Sequence, residues 1–159
     1  MYRLAAVLFF TLLPGSAPRD TVSTEQFKEL MATLAAAWSS QDTERGVSCF
    51  TPDATYMQPP DQQFFRGSAE LRRYFGALEP GTFMTFHNIS FDPARQMGFG
   101  EFSFGTRGEP QADHGVAVVE VREGKIASWR EYFSKGPADF RVFVAAEGKT
   151  WKWNIRNYE

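Results

Sequence analysis

The chain has 159 residues, room for one compact domain, with 17 Lys plus Arg against 19 Asp plus Glu and a formal net charge of −2. No basic block interrupts it, which argues against a nucleic-acid surface. Its single cysteine, Cys49, excludes an intramolecular disulfide and a thiolate metal cluster. A composition of 43% hydrophobic and 23% charged residues excludes disorder over most of the length.

The first residues follow the order of a secretory leader: Arg3, an apolar run from Leu4 to Leu13, then Pro14, Gly15, Ser16 and Ala17. Residues 1–17 are therefore expected to be a signal peptide cut after Ala17, placing the protein outside the cytoplasm, secreted or periplasmic. The run is too short to cross a bilayer core, which takes roughly 20 residues in a helix. From Thr24 the pattern becomes helical. Phe27, Leu30, Met31, Leu34 and Trp38 recur at steps of three and four, behind a cap at Ser23 or Thr24. A short second helix follows Asp42 and carries Val47, Cys49 and Phe50 before Pro52 and Asp53 break it. Residues 54–58 read as a strand, and Pro59 to Asp61 as a loop. Gly67-Ser68 opens a third helix with Leu71, Tyr74, Phe75 and Leu78 on one face, ended by Gly81.

The period then changes from 3.6 to 2, predicting strands over 82–91, 95–106, 112–122 and 125–134. Asp92-Pro93-Ala94-Arg95 reads as a tight turn, residues 106–111 as a looser loop and Glu123-Gly124 as a hairpin turn. The order is a helical half followed by an antiparallel meander, an α+β domain over residues 18–137. The tail 138–159 holds Phe140, Phe143, Trp151 and Trp153 and is expected to pack on that domain. Asn88-Ile89-Ser90 matches a glycosylation sequon but falls within a strand.

The helix ending Trp38-Ser39-Ser40-Gln41-Asp42, the run Phe50-Thr51-Pro52-Asp53-Ala54-Thr55-Tyr56, and Phe65-Arg66-Gly67 leading to Tyr74-Phe75 resemble the front half of the NTF2-like superfamily. The segment His114 to Phe133 resembles the closing hairpin of its SnoaL-like and limonene-epoxide-hydrolase-like members. The resemblance spans roughly residues 24–134. It implies a cone, a strongly curved antiparallel sheet wrapped around helices with an apolar pocket inside, dimerising through the outer sheet face. The implied ligand is a small, largely apolar molecule. The same fold hosts isomerases, cyclases, hydrolases, dehydratases and non-enzymatic binding or association modules, so the fold alone does not assign the reaction.

Strand phase selects the pocket candidates. With a tight turn at Glu123-Gly124, Arg122 pairs with Lys125, and counting back sets Val118 opposite Trp129, Val116 opposite Glu131 and His114 opposite Phe133. A symmetric 106–111 loop pairs Glu101 with His114. Glu131 is then the expected base, His114 its proton partner and Glu101 an assistant, because a carboxylate in an aromatic pocket is pushed toward its neutral form and an imidazole beside it can exchange the proton. Tyr56 and Gln58 resemble the tyrosine and amide that hold a water in the epoxide hydrolases, while Trp38, Trp129 and Phe133 are expected around the apolar part of the ligand. Where those hydrolases carry an arginine, Phe99 stands here. Where ketosteroid isomerases carry their base, oxyanion tyrosine and protonated aspartate, this chain has Gln58, Leu34 and Ala117 or Val118. The same counting pairs His87 with Gly100 and points it outward, on the face opposite His114. No metal site and no nucleotide-cofactor motif follow from these spacings.

Overall fold

The computed structural model describes residues 21–60 and 62–147; the expected leader over 1–17, Trp151 and Trp153 lie outside the described residues. Helix α1 (Thr24–Ser40) starts in a capping box, Ser23 Oγ accepting from the Gln26 amide while the Gln26 side chain accepts from the Ser23 amide. Its buried face is the periodic one: Phe27, Met31, Leu34, Ala37 and Trp38 are fully enclosed. Gln41, in the left-handed region, ends the helix, and Asp42 caps α2 (Thr43–Ser48). Phe50, expected on that helix, instead begins β1 (Phe50–Gln58).

The strand β2 (Gln63–Arg66) was not apparent in the pattern, because four residues hold only two alternations. Then come α3 (Gly67–Gly76), β3 (Thr82–Asp92), β4 (Met97–Thr106), β5 (Gln111–Arg122), β6 (Lys125–Pro137) and the short α4 (Phe140–Val144). Helix α3 stops five residues before Gly81, which instead turns the chain into β3 with a φ of 85°. The strands form one curved sheet ordered β2-β1-β6-β5-β4-β3, in which β1 runs parallel to β6 and the meander is antiparallel. The mixed α+β architecture expected from the pattern is the one observed. Helix α1 lies on the concave side against β3, where Phe27 stacks on Phe91 with ring centres 4.3 Å apart.

Two irregularities set which side chains enter the cone. At the β5–β6 turn, Glu123 and Gly124 both take positive φ and Arg122 pairs with Lys125, as the turn chemistry predicts. Val121 pairs with Ile126, but Glu120 then pairs with Ser128, leaving Ala127 as an extra residue. Every partner beyond it is displaced by one: Trp129 faces Val119, Glu131 faces Ala117 and Phe133 faces Gly115, not the even-numbered residues expected. His114 thereby pairs with Ser134 and turns to the convex face. The β3–β4 loop is two residues longer than a tight turn, Asp92 pairing with Met97, and His87 is itself an extra residue between the Phe86 and Asn88 pairs.

Candidate functional site

Strands β1 and β6 run side by side with Tyr56 next to Trp129. Side chains two residues apart on a strand share a face, so Tyr56, Trp129 and Glu131 all point into the concave side. Trp38 from α1 and Tyr74 from α3 close over them. Trp38 Nε1 donates to Tyr74 Oη at 3.3 Å, Tyr56 Oη lies 3.3 Å from Tyr74 Oη, and Tyr56 Oη donates to Glu131 Oε2 at 2.8 Å. Since the Tyr56 proton goes to Glu131, Tyr74 must be the donor between the two tyrosines. Trp129 Nε1 completes the set, donating to the same Oε2 at 2.9 Å. The rings are packed as well as bonded: Tyr56 stacks on Trp129 at 5.7 Å and Trp38 lies 5.6 Å from Trp129.

Both protein donors fall on Oε2. Glu131 Oε1 accepts from no donor among the described residues, and no buried side-chain oxygen there is sealed off unpartnered. Oε1 therefore faces the chamber that Glu131 lines together with Tyr56, Gln58, Tyr74, Asp113 and Phe133, a space of about 110 Å³. Glu131 is only 6% exposed. Burial pushes its carboxyl above the usual range and the Asp113 charge adds to this, while the Trp129 and Tyr56 hydrogen bonds pull the other way. Burial likewise holds the Tyr56 and Tyr74 hydroxyls in their protonated form, far above the ordinary phenol range. The result is a base with one free oxygen, beside two donors that keep their protons.

The expected residues divide between two faces. Glu131, Tyr56, Gln58 and Phe133 line the chamber, and Trp38 and Trp129 support it from behind as buried hydrogen-bond donors. His114 and Glu101 do not join them. Glu101 pairs with Val116 on the convex face, where its Oε2 accepts from Asn88 Nδ2. His114 is enclosed on that same face: Ser103 Oγ lies 2.7 Å from His114 Nδ1 and 2.7 Å from His87 Nε2, and His114 Nε2 lies 2.8 Å from the Pro137 carbonyl oxygen. A carbonyl can only accept, so neutral His114 donates from Nε2 and accepts the Ser103 proton at Nδ1. The two histidines thus share one face, joined by a serine, where opposite faces were expected. The aromatic tail covers them, Phe140 stacking on His87 at 3.7 Å and Phe143 on His114 at 4.3 Å.

Six chamber residues escaped the sequence reading, Gln63, Tyr74, Met84, Phe102, Phe104 and Asp113, of which Asp113 and Tyr74 bear most on Glu131. Asp113 is in phase with Gly115 and Ala117 once Ala127 is counted as an insertion, so the displaced register that removes His114 brings in its neighbour. Tyr74 lay on the apolar face of the third helix, where its hydroxyl was the one signal of a polar role. Among the described residues no group of three or more His, Cys, Asp or Glu side chains is placed to hold a metal ion. No helix there is long and apolar enough to cross a membrane.

No curated protein matches the sequence. Several solved structures share the fold. A protein of unknown function with a cystatin-like fold from Methylobium petroleophilum is 20% identical, with a TM-score of 0.66 over 86% of this chain and 91% of that one. An NTF-2 like protein of unknown function from Burkholderia xenovorans is 18% identical, with a TM-score of 0.60 over 76% and 94%. An LEH-like epoxide hydrolase from M. tuberculosis is also 18% identical, with a TM-score of 0.58 over 70% and 84%. At these identities the likeness is one of fold. The family model for the SnoaL-like domain matches residues 31–129, more than half the sequence, a stretch that holds β1 to β5 and the start of β6 and carries Trp38, Tyr56, Tyr74 and Trp129. The chain belongs to the SnoaL-like domain family, within the NTF2-like fold.

Proposed function

We propose that the protein binds a small, largely apolar molecule in the concave chamber and carries out cofactor-free acid–base chemistry on it, with Glu131 as the base. The observation that supports this most is the asymmetry of the Glu131 carboxylate, whose Oε2 takes both protein donors while Oε1 faces the cavity. A carboxyl raised by burial is poised to exchange protons closer to neutral pH. When Oε1 takes a proton from bound substrate, the charge that holds the Tyr56 hydroxyl disappears. Tyr56 is then released to donate to an oxygen gaining negative charge on the substrate. Isomerisation, elimination, ring closure and water addition all need no more than this inventory, and the relationship of fold to an LEH-like epoxide hydrolase is compatible with the last.

The test is Glu131→Gln, assayed for both ligand binding and turnover. Turnover that falls by roughly 100-fold or more while binding persists supports the base. Unchanged turnover overturns the assignment. A ligand bound by the wild type, unaltered by it and little affected by the substitution would identify a binding module.

Export to a secreted or periplasmic location is proposed from the order of residues 1–17, and N-terminal sequencing of the purified protein tests it. Dimerisation through the convex face is proposed from the exposure of Met97, Phe99 and Tyr132 there, and a monomer in sedimentation would overturn it.

A further inference from the structure

The chamber beside Glu131, at about 110 Å³, is smaller than the few hundred Å³ that small-molecule sites commonly offer. A second cavity of about 430 Å³ adjoins it, and Phe104 and Asp113 line both. This vestibule lies between the residues after α3, where Leu78 and Glu79 stand, and the β4–β5 hairpin. Its ionisable wall groups are Glu79, Glu109, Asp113 and Lys135, three carboxylates against one ammonium.

We infer that the substrate is bipartite: a compact uncharged reacting group enters the chamber at Glu131, and a linker past Phe104 and Asp113 leads to a basic group, an ammonium, seated in the vestibule. The inference rests on the proposed acid–base role of Glu131 and names the class of molecule that role would serve. Three observations carry it. The chamber, at about 110 Å³, is smaller than an apolar cavity of about 150 Å³ that takes up benzene, so it holds a compact group and most of any larger ligand must lie outside it. The chamber disfavours charge of either sign: an anion would meet the buried Glu131, and a cation there would hold Glu131 ionised and weaken it as a base. The vestibule carries an excess of negative groups, so an ammonium gains there and a carboxylate or phosphate is repelled. The unpartnered Oε1 of the nearly buried Glu131, independent of the vestibule acids, marks the inner end of the path as a place for a ligand.

The experiment uses the full chain and three probes sharing one skeleton: 5-methylhexylamine, 5-methylhexan-1-ol and 5-methylhexanoate. Binding is read by the fluorescence of the tryptophans, of which Trp38 and Trp129 adjoin the chamber. The amine should bind roughly tenfold or more tighter than the carboxylate at low salt, with the alcohol between them, and the gap should narrow at about 0.5 M salt. In Glu79→Gln/Glu109→Gln, which leaves Glu131 and its donors untouched, the amine should lose most of its advantage. A carboxylate that binds as tightly as the amine, or an amine preference that survives the double substitution, overturns the inference while leaving the chamber reading intact. If no probe binds, both readings fall together. If the probes bind equally well to the wild type and to a chamber-blocking Phe133→Trp variant, their site is elsewhere and the bipartite model is wrong.

Discussion

The hydroxyl of Tyr56 donates to Glu131 Oε2 at 2.8 Å, across the parallel pairing of β1 and β6 that sets Tyr56 beside Trp129. This bond favours the ionised carboxylate and partly offsets the burial that opposes it. Tyr56→Phe should therefore move the Glu131 titration further up. Trp129 touches the carboxylate, so its fluorescence against pH, or a carboxyl NMR titration, reads the shift. A midpoint that stays in place or falls would show that the hydroxyl does not stabilise the ionised form.

The raised Glu131 carboxyl also dictates a pH dependence of stability. Folding raises this group's affinity for a proton, so its favourable contribution is fully present below the unfolded value and is lost as pH rises through the folded one. Glu131→Gln removes the ionisation while keeping an oxygen acceptor. The variant's stability relative to wild type should rise with pH above the ordinary glutamate range and then level off once wild-type Glu131 is ionised. Denaturant melts at a series of pH values measure this, and a difference that is flat or declines with pH would contradict it.

His114 separates the two faces of the sheet experimentally. His114→Ala removes one of the two partners of Ser103 Oγ, the partner of the Pro137 carbonyl and the ring on which Phe143 stacks, at a cost of about 2–3 kcal/mol. The Glu131 titration should be unchanged, because the imidazole lies across the sheet from the chamber. A shifted Glu131 midpoint in a folded His114→Ala protein would place the two groups in one network, against the observed register.

Gly115 faces Phe133 in the displaced register, and a Cβ there would strike the Tyr132 carbonyl and the Phe133 side chain. Gly115→Ala should cost roughly 1–3 kcal/mol or more, because the obstacle includes backbone. Deletion of Ala127 tests the bulge itself. Without the extra residue the pairs Val121–Ile126 and Glu120–Ser128 become consecutive, so Trp129, Glu131 and Phe133 keep Val119, Ala117 and Gly115 as partners and stay on the concave face. Cooperative melting should persist in the deletion variant; its loss would show that the bulge is needed for β6 to pair on both sides.

Much of this architecture was legible from local chemistry. The helix cap, which the pattern left between Ser23 and Thr24 and which falls on Ser23, the three- and four-residue spacing from Phe27 to Trp38 and the hairpin turn at Glu123-Gly124 each act within a few residues and were read from the sequence. Apart from β2 and α4, the elements, their order and the inward position of Tyr56, Trp129 and Glu131 followed from such signals and from family resemblance. The partners of Glu131 did not. Side-chain direction along a strand alternates residue by residue, so one unpaired residue reverses everything beyond it, and nothing in Lys125-Ile126-Ala127-Ser128 announces that Ala127 is extra.

That residue becomes extra where β6 pairs with antiparallel β5 on one side and with parallel β1 on the other, partners that only the assembled sheet supplies. The sequence by itself determined the fold class and the inventory of carboxylates, phenols and indoles, because those depend on composition and short-range periodicity. The tertiary structure decided that Asp113 and Tyr74 stand with Glu131 while His114 and Glu101 face away, because that depends on register summed across four strands and on how α1 and α3 close over the concave side.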